Sequence, residues 1–94
     1  MAIEFEWDEA KALSNLEKHG IAFAGAVRVF FDPRRIEFKD ARRDYGEERF
    51  RTIGCVEGVL VLVVYTLRGG NIRVISARRA TRLERSLYGQ NPPV

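Results

Sequence analysis

Five arginines fall within thirteen residues near the end of the chain: Arg73, Arg78, Arg79, Arg82 and Arg85, in the run NIRVISARRATRLERSLY. A guanidinium offers planar, paired N–H donors that match a phosphate. Arg73, Arg78 and Arg79 are therefore the best candidates for phosphate contacts, although the same charge would also serve solubility or a protein interface. A second set sits near the start. Lys11, Asn15, Lys18 and His19 stand at i, i+4, i+7 and i+8, the spacing of one helix side. His19 is the only histidine. Histidine is the side chain type suited to general acid–base work. Placed just before Gly20, it equally suits the end carbonyls of a helix. Glu47 and Arg49 put a carboxylate next to a cation at the start of a strand, either as a base beside its charge partner or as a solvated edge. Tyr65 closes an apolar run, where it can stack on a base, donate a proton or simply pack.

Such groups fit RNA cleavage by attack of the RNA's own 2′-hydroxyl. That reaction needs an in-line substrate, a base, an acid and cations on the phosphate as charge develops. No cofactor or metal is expected. One histidine and one cysteine, Cys55, cannot make a zinc site, and no carboxylate run resembles a calcium loop. Gly69-Gly70 reads as a turn and not as a phosphate loop. Cys55, alone in an apolar run, reads as a small buried side chain.

The 94 residues suffice for one domain with a modest core. Thirteen arginines and three lysines outweigh thirteen acids, for a formal charge of +3. The charge is uneven: residues 1–32 hold six acids and three bases, and residues 33–94 hold seven acids and thirteen bases. A split of this kind favours a basic binding surface or an oppositely polarised partner. The start, MAIEFEWDEAK, is acidic where a secretory leader is basic. The longest apolar run, Val59 to Tyr65, is too short to cross a bilayer. A cytoplasmic protein with no membrane contact is expected.

The elements follow from periodicity. IEFEW (3–7) alternates and predicts a short strand or extended lead-in. Asp8 caps a helix that runs to about His19, with Gly20 as its stop. Ala10, Leu13 and Leu16, with Ala12 beside them, form its predicted apolar side, opposite the Lys11–His19 ridge. Phe23, Ala26, Val27, Phe30 and Phe31 predict a second helix with an aromatic core stripe, ended by Asp32-Pro33. From there the period is two. Strands are predicted over 35–40, 47–56, 59–66 and from Asn71, with a polar loop at 41–46 and tight turns at Glu57-Gly58 and Gly69-Gly70. In the last strand strict alternation sets Ile72, Val74 and Ser76 against Arg73, Ile75 and Ala77. Thr81 and Glu84 read as the capping box of a closing helix, followed by a loose tail, GQNPPV. Short turns make the strands antiparallel. The predicted class is α+β: two N-terminal helices, about four antiparallel strands and a C-terminal helix.

Three runs, FEWDEAKALSNLEKHGIAFAGAVRVFFDP, YGEERFRTIG and VVYTLRGGNIRVISARRATRLER, resemble the BrnT family of bacterial type II toxins. The likeness extends from Phe5 to Tyr88 in the family's order. It implies a RelE-like fold and a ribonuclease toxin that stops translation. It also implies a BrnA-like antitoxin, bound as a heterotetramer that represses its own promoter through operator DNA held by the antitoxin. The motif positions carried across are Trp7, Asp8, Lys11, Asn15, Lys18, His19, Glu47, Arg49, Tyr65, Arg73, Ser76, Ala77, Arg78, Arg79 and Arg82. Ala22 and Ala24-Gly25 depart from the family's usual Ser and acidic residues, which weakens the second helix's cap. The expected catalytic set is Lys18, His19, Glu47, Arg49, Tyr65, Arg73 and Arg78. Lys11, Asn15, Arg79 and Arg82 are expected to bind RNA. A basic binding module without catalysis is the alternative.

Overall fold

In a computed structural model, residues 3–41, 44 and 46–89 are described. Parts of the predicted polar loop (42, 43 and 45), of the acidic start (1–2) and of the tail (90–94) lie outside the described residues. Five strands form one mixed sheet, in the order β1-β5-β4-β3-β2: β1 (Phe5–Glu6), β2 (Ile36–Lys39), β3 (Phe50–Val56), β4 (Val59–Arg68) and β5 (Asn71–Arg79). Helices α1 (Glu9–His19) and α2 (Phe23–Ala26), and a 3₁₀ segment (Val27–Phe31), lie on one face. Helix α3 (Arg82–Gly89) packs against β3 on the other.

The α+β class and the β2–β3–β4–β5 antiparallel meander agree with the sequence pattern. The sheet has a fifth member, however. The lead-in at Phe5–Glu6 pairs parallel with Ile72 and Arg73, joining the start of the chain to its last strand. No short turn can encode that pairing, so local pattern does not announce it. Both predicted hairpin turns are present. Glu57 and Gly58 have φ of 49° and 82°, and Gly69 and Gly70 have 58° and 83°, the left-handed pairs of type I′ turns.

Helix α1 begins and ends as predicted. Asp8 accepts from Ala10 N at 2.8 Å, and Gly20, at φ 71°, donates to Leu16 O at 2.8 Å. Its orientation differs from the prediction, although Ala12 packs against the core and Lys11 and Lys18 are exposed. Leu13 and Leu16 are 63% and 45% exposed, whereas Asn15 is buried. The surface below α1 is the outer edge of β5, which carries backbone polar groups, and an amide satisfies those where a leucine cannot.

The second helix also departs from its pattern. After one α-helical turn the backbone tightens to 3₁₀, about three residues per turn. Phe23, Ala26 and Val29, at intervals of three, become the buried row. Phe31, read as core at the 3.6 period, is 74% exposed. Val29 sits directly over Gly54 of β3: a Cβ on Gly54 would lie 2.8 Å from Val29 Cβ and 2.9 Å from Val29 O. Replacing Gly54 by alanine is expected to destabilise the protein by about 1–3 kcal/mol, read as a lower thermal midpoint. An unchanged midpoint would show that the 3₁₀ segment moves off the sheet freely.

Candidate functional site

The arginines divide between the two faces of the sheet because β5 contains a bulge. Tyr65 pairs with Val74 and Val64 with Ser76, leaving Ile75 as the extra residue. A bulge reverses side-chain parity beyond it. Ala77, predicted to oppose Ile72 and Val74, joins them in the core beneath the helices. Ile75 packs in the opposite cluster with Leu62 and Val64. Arg73 and Arg78 therefore share the α3 face, whereas Arg79 turns to the α1–α2 face. Strict alternation would have grouped Arg79 with Arg73.

The α3 face carries a row of half-buried guanidiniums. Arg51 reaches it from β3, alternating with the inward-stacked Phe50, and Arg49 stands just before that strand. Arg51 lies over the Phe38 ring at 5.6 Å. Each arginine has a carboxylate: Arg49 with Glu47 at 3.2 Å, Arg51 with Asp40 at 4.0 Å, Arg73 with Glu6 at 3.5 Å, and Arg78 with Glu84 at 2.7 Å. Arg68 adds a looser contact to Glu47 at 3.8 Å. The Arg78–Glu84 pair is bidentate, with a second bond at 2.9 Å. Glu84 also completes the predicted capping box, accepting from Thr81 N at 2.8 Å while its own N–H reaches Thr81 Oγ1 at 3.2 Å. The Arg78 guanidinium is the main cause that holds the Glu84 carboxyl low, at about 2; burial opposes it and loses.

Beside this row, at the outer edge of β5, lies a shallow pocket of about 180 Å³. Lys11, Asn15, Lys18 and His19 of α1 line one wall, with Ile75 and Ser76 of the bulge opposite. The bulge stands between Arg73 and Arg78 along the strand. Asn15 does not face solvent. Its amide donates to Ala77 O at 2.8 Å and Ile21 O at 3.0 Å, and its Oδ1 accepts from Ala77 N at 3.1 Å. The expected RNA-binding amide is thus spent on backbone, standing in for a missing neighbouring strand.

Tyr65 packs. It is 6% exposed, stacked on Phe50 with ring centroids 5.4 Å apart and edge-on to Phe30, with its hydroxyl donated to Glu37. Burial first, and then the Glu37 carboxylate, raise its pKa. Neither a free ring face nor a ready proton remains. Arg82 opens α3 and is exposed. Asp32, which the sequence marked only as a helix stop, is a structural node. It accepts from Tyr88 Oη at 2.7 Å, Cys55 N at 2.7 Å and Arg34 N at 2.9 Å. Burial would raise its carboxyl, but these donors together lower it. Burial and the Asp32 contact push the Tyr88 hydroxyl up to about 12.

Among the described residues, no three His, Cys, Asp or Glu side chains group as a metal site requires. Nor is any helix there long and apolar enough to cross a membrane. No curated protein matches the chain. The family model for the ribonuclease toxin, BrnT, of type II toxin–antitoxin systems matches residues 7–84, from Trp7 beside β1 to the Glu84 that anchors Arg78, and the chain belongs to that family.

Proposed function

We propose that this toxin is a metal-independent endoribonuclease that cuts RNA through the RNA's own 2′-hydroxyl and so inhibits translation. The observation that carries the reading is the junction at the β5 bulge. There Lys11, Lys18 and His19 of α1 stand against Ile75 and Ser76, and the bulge lies between Arg73 and Arg78 along β5. In this mechanism Arg73, Arg78 and Arg49 hold the scissile phosphate and offset its growing charge. Lys18 and His19 contribute charge or move the proton of the leaving oxygen, and Glu47 serves as the base. Lys11 and Arg82 guide the flanking backbone. Tyr65 supports the strands from beneath, and Arg79, turned to the other face, is left out of the RNA site.

The wider expectations belong to the same proposal. The chain acts as a single toxin domain in the cytoplasm, with a RelE-like fold. A BrnA-like antitoxin neutralises it in a heterotetramer, and the complex represses its own promoter through the antitoxin's grip on operator DNA. Family membership supports an antitoxin protein as partner and ribonuclease as activity.

The test is incubation of the purified protein with naked RNA in EDTA. Products with 2′,3′-cyclic phosphate ends are expected. Arg73→Ala is expected to cleave at least about tenfold more slowly, the scale of one lost charge-assisted contact. A folded Arg73→Ala protein that cleaves like the wild type removes Arg73 from the site. No cleavage of naked RNA together with growth arrest on induction points to cutting on the ribosome. No cleavage and no arrest would leave a basic binding module.

A further inference from the structure

The face of the sheet opposite the arginine row has its own concavity. It is a pocket of about 250 Å³ between the end of α1, α2 and the β3–β4 hairpin. Ala26, Val56 and Val61 contribute apolar surface, and Gly20 and Gly25 leave the mouth without side chains. One cation borders it, Arg79, placed there by the bulge in β5. Among the described residues no carboxylate pairs with Arg79. The nearest acid along the hairpin, Glu57, is held by Arg28 at 2.7 Å. An apolar hollow with an exposed, unanswered guanidinium matches an aliphatic or aromatic side chain next to a carboxylate. It does not match a phosphate backbone, which would leave the apolar floor wet. Buried apolar anchors beside arginine contacts are the usual centres of protein interfaces.

We infer that this pocket is an antitoxin docking site, and that it receives a segment carrying an apolar anchor with an Asp or Glu beside it, which pairs with Arg79. Charge complementarity selects that occupant. The antitoxin is the protein partner that membership of the family supplies, so the inference does not depend on the catalytic roles assigned above. Binding here would leave the arginine row on the far face uncovered by this contact. The antitoxin must then reach round the sheet edge, or act by occlusion of a larger substrate.

Gly25 offers a clean probe. A Cβ built there meets nothing within 4 Å, and glycine is a poor helix residue, so a larger side chain is accepted by the fold. Gly25→Leu projects into the pocket, whereas Gly25→Ala is too short to fill it. The cognate antitoxin of the same module is titrated into purified toxin and the Kd measured. Gly25→Leu and Arg79→Glu are each expected to weaken binding at least about tenfold, with Gly25→Ala close to wild type. Naked-RNA cleavage by the free toxin, where present, stays unchanged in both Gly25 variants. An Asp or Glu→Arg change in the antitoxin that restores binding to Arg79→Glu identifies the paired residue. Wild-type affinity in both Gly25→Leu and Arg79→Glu overturns the inference. So does an Arg79→Glu protein that loses RNA cleavage but keeps antitoxin binding, because Arg79 then belongs to the RNA surface. Loss of self-association in Gly25→Leu with antitoxin affinity intact would assign the pocket to a second copy and overturn it equally.

Discussion

Replacing Asn15 by alanine is expected to cost about 3–5 kcal/mol, with a fall in thermal midpoint on the order of 20 °C for a chain this size. The amide serves three backbone groups at once: Ala77 N, Ala77 O and Ile21 O. Ala77 is fully buried and Asn15 is 7% exposed, so water cannot replace what is lost. An unsatisfied buried backbone group costs about 1–3 kcal/mol, and truncation leaves more than one. Asn15→Leu separates hydrogen bonding from volume. It fills nearly the same space and supplies no donor or acceptor, so it is expected to melt as low as the alanine variant. A leucine variant within a few degrees of wild type would show that packing of α1, and not the clamp, fixes this edge. The consequence extends to function. The clamp sets α1 against the bulge, and with it Lys11, Lys18 and His19 against Ile75 and Ser76. RNA cleavage is therefore expected to fall in Asn15→Ala even at temperatures where it remains folded.

This clamp also marks where sequence reading stops. Local signals were legible: the Asp8 cap, Gly20, both type I′ turns and the Thr81–Glu84 box all lie within a few residues of what they control. The apolar run of β4 announced a central strand, and it is one. Contacts across the chain were not legible. Asn15 and Ala77 are 62 positions apart. The β1–β5 pairing joins residues 5–6 to 72–73. Periodicity assigned Leu13 and Leu16 inward because it ranks side chains by hydropathy alone, and it has no means of seeing that the surface beneath is a strand edge. The 3₁₀ tightening left Phe31 outside and brought Val29 into the buried row, with Val27 still packed against the core, for a related reason: the close approach to Gly54 is tertiary. Among the proposed site residues, the types and the α1 ridge were readable, as was the arginine density. The bulge at Ile75 was not, and it decides which arginines share a face. Its only trace is the intrusion of small Ser76 and Ala77 into an otherwise apolar and arginine-rich strand.

Acid should separate the two principal arginines of the proposed site. Glu84 ordinarily titrates at 4.5, and in the fold its carboxyl is held at about 2, chiefly by Arg78. A folded-state value below the unfolded one gives stability that is complete above pH 4.5 and disappears as the pH falls through about 2. The linked free energy is on the order of 3 kcal/mol. Asp32, also lowered, adds in the same direction. Urea midpoints are therefore expected to drop between pH 5 and 2 in the wild type and to drop much less in Glu84→Gln. Equal slopes would mean that the pair contributes little. Arg78→Ala strands a carboxylate that is only 12% exposed in its side chain, at a cost of roughly 2–4 kcal/mol at neutral pH. Arg73 differs: its contact with Glu6 is longer, 3.5 Å, and both partners are about a third exposed, so its removal costs about 0–1 kcal/mol. Arg73→Ala should lose cleavage and keep its midpoint, whereas Arg78→Ala should lose both. Matching midpoints for the two variants would refute the view that Arg78 fastens α3 to the sheet. In the proposed mechanism the pairing also defines how Arg78 would act. Its guanidinium arrives oriented by Glu84, so a phosphate meets a fixed donor and not a free side chain, and the entropy of ordering it has already been lost on folding.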